Sequence, residues 1–155
     1  MREILFRGKR TDNGEWVQGY PCRYGWTGKE KDYIIPDYAS ALYTVEIDPS
    51  TVGQYTGLTD MNDKKIFEGD IIQVKFEFPP CDPGIWYENY EVYFDDESHE
   101  WRVKRGSYTY SLWEYDQDCV VVGNVYDSPK LLSSHINYKA YQSVPLPESP
   151  KEANA

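Results

Sequence analysis

The sequence predicts an all-β protein, and three observations support this fold class. Aromatic residues make up 16% of the 155 residues, and aromatic side chains fit the half-buried surface of a sheet. Short apolar runs recur at close intervals, and glycine, proline or asparagine separates them. We therefore expect one domain with an N-terminal β-subdomain over residues 1–60, a small SH3-like β-barrel over residues 61–128 and a C-terminal extension over residues 129–155.

The N-terminal part is predicted to contain short strands joined by tight turns. Residues 4–6 form the first apolar run, and Asn13 with Gly14 predicts a hairpin because both residues tolerate positive φ. The run over residues 42–47 predicts a further strand. Asp48 and Pro49 are expected to end that strand, and Ser50 or Asp48 to cap a single helical turn. Gly57 is expected to interrupt the extended run that follows.

The second part is predicted to form the barrel. Residues 72–78 alternate between apolar and polar types, so Gln73 is expected to face solvent. Residues 79–84 predict a loop and residues 95–100 a hairpin turn. Three valines over residues 120–122 predict a buried strand that bends at the following glycine.

The C-terminal extension begins with Ser128 and Pro129, which predict a proline-initiated helical turn. Its end, VPLPESPKEANA, is rich in proline and polar side chains and shows no apolar periodicity. We expect a tail that stays flexible unless a partner holds it.

The charge distribution argues against a large binding surface for double-stranded nucleic acid. The net charge is −10 at pH 7. Residues 61–128 carry 15 acidic and 6 basic side chains, whereas residues 1–60 carry 9 acidic and 7 basic ones. An acidic body repels a phosphate backbone, so a protein partner is easier to accommodate.

The cysteines and the hydropathy pattern indicate a cytoplasmic protein. Cys22, Cys81 and Cys119 lie far apart in the sequence, so the chain contains no CxxC site. Reduced thiols are the ordinary state of such residues in the cytosol. No apolar run approaches the ~20 residues that a membrane-spanning helix needs, so we expect no membrane association.

The sequence shows no catalytic constellation. It contains no GxSxG elbow, no P-loop and no GxGxxG motif. The two histidines, His99 and His135, lie far apart in the sequence. We therefore predict no catalytic residue, no bound metal and no cofactor, and an enzyme with an unrecognised site is only the third hypothesis.

Two acidic segments carry residue types that bind metals or transfer protons. Glu68 and Asp70 flank Gly69, and such a pair can act as an acid and a base or hold a cation. The favoured interpretation is a tight turn in which Asp70 accepts backbone N–H bonds. Residues 95–100, DDESHE, include metal-ligand types, but a polar hairpin loop accounts for them, and their spacing matches no calcium loop.

Two surfaces are candidates for binding a partner. Aromatic side chains that point outwards would suit a protein interface, so the leading partner is another protein or a second copy of the chain. The alternative is single-stranded nucleic acid, bound by Arg7, Lys9 and Arg10 among the aromatic residues of the N-terminal strands. The ordinary interpretation of those cations is a solvated β surface.

Three segments of the chain resemble the YopX family of phage and prophage proteins. They are MREILFRGK at the N-terminus, TVGQYTGLTD followed by KKIFEGDII in the middle, and VVVGNVYDSPKLL near the end. They occur in this order and span nearly the whole domain. The most specific part is a set of motif residues: Tyr55, Thr56, Gly57, Leu58, Asp60, Phe67, Glu68, Gly69 and Asp70.

The resemblance implies a mostly β protein encoded in phages or mobile elements, with no assigned biochemical activity. We therefore expect a phage-encoded accessory protein that binds a host protein, a phage protein or a second copy of the chain, with the motif residues as its candidate structural or functional site. One departure is visible, because the family usually has Asn–Gly before the lysine and this chain has Asn62 and Asp63. Positive φ is less favourable for aspartate than for glycine, so we expect a turn of a different type or one that is slightly strained.

Overall fold

The computed structural model describes residues 1–40, 43–77 and 85–133. Within these ranges the protein is all-β, as predicted, with ten strands and two short 3-10 helices. The strands are β1 (Phe6–Arg10), β2 (Trp16–Tyr24), β3 (Lys31–Pro36), β4 (Val45–Thr59), β5 (Lys65–Phe67), β6 (Asp70–Glu77), β7 (Ile85–Asp95), β8 (Glu100–Arg105), β9 (Tyr108–Ser111) and β10 (Cys119–Asn124). The 3-10 helices are Leu112–Tyr115 and Pro129–Leu131.

The first sheet has the strand order β1-β2-β3-β4-β5, and β1 also pairs with β4. Because β4 pairs with β1 as well as with β3, the antiparallel strands β1 to β4 form a partly closed ring. The ring is closely packed at Gly8, since a Cβ there would lie 3.0 Å from Ile47 Cδ1 and 3.3 Å from Ile34 Cδ1, and these side-chain ends would have to shift slightly. The core of the ring consists of Val17, Ile34, Val45 and Ile47.

The second sheet has the strand order β10-β6-β7-β8-β9, again with antiparallel pairing. Its core consists of Ile66, Ile72, Val74, Tyr90, Val92, Val103, Leu112 and Cys119. Ile66 belongs to β5 of the first sheet, so the two sheets meet in this core. The SH3-like barrel stays a prediction, and the hydrogen-bonded ring lies in the first sheet.

Several predicted turns are confirmed. Gly14 has a φ of +71° in the hairpin between β1 and β2, and its N–H donates to Arg10 O over 3.0 Å. Residues 95–100 connect β7 with β8, and Pro129 begins the second 3-10 helix. The register between β10 and β6 shifts between Val121 and Gly123, at the predicted bend.

The prediction that Asp48 and Pro49 end a strand and begin a helical turn is wrong. Strand β4 continues through both residues. The register of β4 against β1 shifts at this point, and such a bulge accommodates a proline because no ladder hydrogen bond is required from it. Thr51 secures the bulge, since its Oγ1 accepts a bond from Lys9 N over 2.9 Å and donates to Asp48 O over 2.6 Å.

The expectation that Gly57 interrupts the chain's extended run is also wrong. Gly57 lies inside β4 with a φ of +86°, where the register against β5 shifts between Tyr55 and Thr59. The glycine therefore forms a bulge within one long strand. The first strand begins at Phe6, later than the predicted start at residue 4.

The predicted exposure of Gln73 is wrong as well, because the second 3-10 helix covers it. Gln73 is buried, and its Nε2 donates to Asn89 Oδ1 over 3.2 Å. Asn89 Nδ2 in turn donates to Leu131 O over 3.0 Å. The alternation along β6 identified the apolar face but not the polar contacts that bury its opposite face.

Some predictions fall outside the described residues. They concern Leu42, Phe78, Cys81, His135, the loop over residues 79–84 and the tail over residues 144–155.

Candidate functional site

The motif residues Tyr55 and Thr56 hold β5 against β4. Tyr55 is buried beside Leu5 and Phe67, with 5.7 Å between its ring centroid and that of Phe67. Burial raises the pKa of the Tyr55 hydroxyl. Thr56 Oγ1 donates to Ile66 O over 2.8 Å and accepts a bond from Leu58 N over 3.2 Å. Both side chains therefore serve the strand pairing around the Gly57 bulge.

Asp60 connects the turn after β4 to the second sheet. Its side chain is fully buried. Asp60 Oδ1 accepts bonds from Asn62 N over 2.8 Å and Lys64 N over 3.0 Å, while Oδ2 accepts a bond from Val121 N over 3.0 Å. Asp63 has a φ of +59°, so the turn keeps a left-handed conformation although the family's glycine is replaced.

Glu68, Gly69 and Asp70 form the predicted tight turn. Asp70 Oδ2 accepts a bond from Phe67 N over 2.8 Å, and Gly69 has a φ of +84°. A Cβ at Gly69 would lie 3.1 Å from the ring of Tyr126, so the close approach also favours glycine. This geometry agrees with the backbone-capping interpretation of Asp70.

Asp70 also forms a buried ion pair that links the two sheets. Its Oδ1 lies 2.7 Å from an Nη of Arg7, and the two side chains are 2% and 11% exposed. Burial raises the pKa of the Asp70 carboxyl, and the charge of Arg7 opposes this shift. The guanidinium of Arg7 lies between two rings, 4.6 Å from the Trp16 centroid and 4.9 Å from the Phe67 centroid.

A second ion pair is connected to the Arg7–Asp70 pair through Trp16. Lys9 Nζ pairs with Asp127, whose Oδ2 accepts a bond from Trp16 Nε1 over 2.7 Å. The hydrogen bond from Lys9 lowers the pKa of Asp127 to about 2, helped by Trp16 and Asn124. Trp16 also packs against Tyr126 at a centroid distance of 5.7 Å.

We call this set of contacts the intersheet junction. Its members are Arg7, Lys9, Trp16, Asp70, Tyr126 and Asp127. Sequence reasoning identified Asp70, Arg7 and Lys9 as candidates but did not pair them, and it did not single out Asp127.

The prediction that Arg7, Lys9 and Arg10 contact nucleic acid stays a prediction. The structure places Arg7 and Lys9 in the intersheet junction, facing carboxylates of the second sheet. Arg10 forms a surface ion pair with Asp12, with 2.7 Å between an Nη and Oδ2. Each of the three cations therefore already has an acidic partner within the chain.

The acidic loop over residues 95–100 is held by its own hydrogen bonds. Asp95 Oδ2 accepts a bond from Ser98 N over 3.2 Å, and Glu100 pairs with Arg102. Glu100 also accepts a bond from Ser111 Oγ over 2.8 Å. Within the part of the chain that the structure describes, no group of three or more His, Cys, Asp or Glu residues is placed to hold a metal ion.

An exposed aromatic face lies on the outer side of the ring. We define the aromatic face as Tyr20, Cys22 and Tyr24 of β2 together with Tyr33 and Ile35 of β3. Alternate residues of a strand share a face, and the register places Cys22 opposite Tyr33 and Tyr20 opposite Ile35. Tyr20 and Tyr24 are 51% and 50% exposed.

Two tyrosines of the aromatic face, Tyr24 and Tyr33, are held in place by contacts of their side chains. The rings of Tyr24 and Tyr33 stack with 4.2 Å between centroids and 14° between planes. The Tyr24 hydroxyl forms a hydrogen bond of 2.9 Å with Thr44 Oγ1. Trp26, in the turn just beyond β2, is 86% exposed. The sequence predicted exposed aromatic residues in general, but only the strand register shows which of them share one surface.

The fold and this geometry define an all-β protein whose two five-stranded sheets are joined by a buried polar junction, with aromatic side chains exposed on one of them. The family model described as YopX protein matches residues 5–133. This match covers most of the chain, so the protein belongs to the YopX family.

A solved structure has a similar fold. The crystal structure of protein EF1440 from Enterococcus faecalis aligns with a TM-score of 0.52 and 23% sequence identity, covering 85% of this chain and 99% of that one. At this identity the similarity concerns the fold alone. A search of curated proteins gives no match. No helix among the described residues is long and apolar enough to cross a membrane.

Proposed function

We propose that this protein is a non-enzymatic interaction module, encoded by a phage or prophage, whose aromatic face binds another protein in the bacterial cytoplasm. The observation that carries the proposal is the exposure of Tyr20 and Tyr24 on one face, where Tyr24 is oriented by its stacking on Tyr33 and its bond to Thr44. Tyrosine and tryptophan are enriched in protein interfaces and dominate their binding energy.

The topology of the first sheet supports side-chain recognition as the mode of binding. In the ring, each of the strands β1 to β3 pairs with two neighbours, and β4 pairs with β1, β3 and β5. A partner therefore has little free strand edge on which to add its own strand, which is the usual route of backbone-mediated recognition. The aromatic face offers the alternative, a preformed surface that loses little conformational entropy on binding.

The contacts of the motif carboxylates support a non-enzymatic role. Asp60 and Asp70 are buried, and their oxygens accept backbone N–H bonds or pair with Arg7. A general acid or base must reach a proton of the substrate, and these two carboxylates face the protein interior. The same contacts explain the motif as a structural device that joins the sheets.

Protein binding is better supported than nucleic-acid binding, which was the alternative hypothesis. A phosphate contact at Arg7 or Lys9 would have to break an ion pair of the intersheet junction. The binding of nucleic acid also gains from a basic surface, whereas this chain has a net charge of −10.

The test compares two variants of the tagged full chain. Tyr20→Ala combined with Trp26→Ala removes exposed aromatic side chains from and beside the aromatic face, and Trp113→Ala removes one of similar type, 68% exposed, in the first 3-10 helix. Proteins retained from host lysate, with and without nuclease and with and without phage expression, are quantified by mass spectrometry. Sedimentation velocity of the purified chain reports self-association.

We expect at least one protein, or a second copy of the chain, to bind the wild type and Trp113→Ala and to be lost from the double variant. Because a single aromatic hot-spot residue contributes about 2 kcal/mol or more, the loss of at least one of them should lower the affinity by about thirtyfold or more. Equal binding by all three proteins, or binding that nuclease abolishes, would refute the proposal.

A further inference from the structure

A second surface, on the other sheet from the aromatic face, has the chemistry of a peptide-binding cleft. It is an open cleft of about 660 Å³ in the second sheet. We call it the tyrosine cleft, and the residues that define it are Glu88, Tyr90, Arg105, Tyr108, Tyr110 and Leu132. Three tyrosines and one acidic side chain thus converge on one concavity.

The tyrosine rings of this cleft pack against one another. The rings of Tyr90 and Tyr110 meet edge to face, with 5.8 Å between centroids and 89° between planes. Tyr115 packs behind both, 5.9 Å from Tyr90 and 6.2 Å from Tyr110. Tyr108 stands at the opening and is 68% exposed. Grooves lined by aromatic side chains bind proline-rich segments in the polyproline II conformation.

The cleft also contains a partly exposed carboxylate. Glu88 accepts a hydrogen bond from the hydroxyl of Tyr90 and lies 3.8 Å from an Nη of Arg105. The Glu88 and Arg105 side chains are each about a quarter exposed. A cationic side chain on a ligand would therefore meet a carboxylate that the Tyr90 hydroxyl orients, and it would compete with Arg105 for that carboxylate.

The chain itself contains a segment with the matching chemistry. The sequence over residues 145–151 is PLPESPK. Polyproline II repeats every three residues, so Pro147 and Pro150 share one face, and Lys151 follows directly. Proline also lowers the entropic cost of ordering the segment on binding.

The place where the described chain ends puts this segment within reach. Leu132 lines the tyrosine cleft, and the bond from Asn89 Nδ2 to Leu131 O fixes the chain there. Pro147 lies fifteen positions after Leu132 in the sequence. An extended chain of that length spans up to ~50 Å. A tether of this kind gives a local concentration on the order of millimolar.

We propose that the tyrosine cleft binds the chain's own segment over residues 145–151, with Pro147 and Pro150 against Tyr108 and Tyr110 and Lys151 beside Glu88. The segment thereby occupies the cleft in cis and competes with any other proline-rich peptide. This inference is independent of the aromatic face, so either can fail without the other.

The test uses the full chain and a fluorescein-labelled synthetic peptide of residues 143–152, with binding followed by fluorescence anisotropy. Pro147→Ala combined with Pro150→Ala disables the tethered segment. Pro145→Ala is the matched control, because residue 145 lies on another face of a polyproline II helix. Tyr108→Ala, added to the double variant, tests the cleft, and Trp113→Ala in the same background is its control.

We expect the peptide to bind the double variant about tenfold more tightly than the wild type. For a peptide Kd of about 0.1 mM and a local concentration of about 1 mM, the wild-type cleft is free about one tenth of the time. Pro145→Ala should behave like the wild type. Tyr108→Ala should abolish binding to the double variant, whereas Trp113→Ala should leave it unchanged.

Three results would overturn the proposal. The first is equal affinity for the wild type and the double variant, and the second is no binding to the double variant. The third is association of wild-type chains that increases with concentration and that is lost in the Pro147→Ala, Pro150→Ala variant. This result would mean that a second copy of the chain, and not the same chain, supplies the segment.

Discussion

The substitution Asp70→Asn tests whether the buried ion pair joins the two sheets. Asparagine has nearly the same shape as aspartate, and its oxygen can still accept the bond from Phe67 N. Its amide nitrogen, however, would face the guanidinium of Arg7, where the structure places Asp70 Oδ1 at 2.7 Å. Two donors would then oppose each other, and the positive charge of Arg7 would lose its partner.

The magnitude follows from the burial of the pair. Both side chains are almost inaccessible, at 2% and 11% exposure, so water cannot replace the lost carboxylate. Removing one partner of a buried ion pair costs about 3–5 kcal/mol in the free energy of unfolding. The rings of Trp16 and Phe67 around Arg7 offset part of the loss, so we expect about 3 kcal/mol, or roughly 6–12 °C in Tm.

The assay is urea unfolding at pH 7, followed by tryptophan fluorescence. Arg7→Met, which removes the charge but retains an apolar chain, completes a double-mutant cycle with Asp70→Asn. Because neither charge is then left unpaired, the double variant should lose less stability than the two single variants added together. Asp12→Asn breaks the exposed pair with Arg10 and is the control that should leave the unfolding midpoint unchanged.

A loss below about 1 kcal/mol for Asp70→Asn would refute the reasoning, since that is the range of an exposed ion pair. Strict additivity in the double-mutant cycle would also refute it. Either result would mean that Arg7 finds another partner or that the junction is solvated.

Three further predictions follow from individual side chains. The pKa of Asp127 is lowered from 3.8 to about 2 in the folded state. The stability that the ionised Asp127 carboxylate contributes is therefore present above pH 4 and is lost as the pH falls towards 2. The substitution Asp127→Asn should remove this part of the acid dependence of unfolding. Asp63→Gly should leave thermal stability unchanged or raise it by up to ~1 kcal/mol, because Asp63 has a φ of +59° and glycine carries no steric cost there. Burial raises the pKa of the Cys119 thiol to about 12. In the folded Cys81→Ser variant at pH 8, iodoacetamide should therefore modify Cys22, which is partly exposed, and spare Cys119. Peptide mass mapping measures which cysteine is modified.

Each of these predictions can fail clearly. An Asp127→Asn variant with the same pH profile as the wild type would show that the bonds from Lys9 and Trp16 do not perturb its titration. A loss of stability in Asp63→Gly would show that the aspartate makes a contact worth more than the backbone strain. Rapid labelling of Cys119 without unfolding would contradict its burial.

Much of the secondary structure could be predicted because its signals are local. Asn13 and Gly14 specify a hairpin through the φ values that they tolerate, and the structure confirms it. The alternation along β6 correctly placed Ile72 and Val74 in the core. The errors arose at Pro49 and Gly57, where long-range pairing with β1 and β5 keeps an unfavourable residue inside a strand.

The candidate site was predicted only in part. Asp70 was identified as a turn carboxylate that accepts a backbone bond, and the structure shows that bond. Its pairing with Arg7 was not predicted, and the two cations of the junction were interpreted as contacts for nucleic acid. Their residue type was visible in the sequence, whereas the carboxylates that face them were not.

The sequence by itself determined the β character of the chain, its main turns and its family, because strand periodicity, turn chemistry and short motifs are properties of neighbouring residues. Only the tertiary structure decided which charges are neutralised and which aromatic residues share a surface. Trp16 and Asp127 form a hydrogen bond across 111 residues of sequence. Such contacts depend on sheet order and register, and a shift of one residue in a strand would turn every side chain to its opposite face.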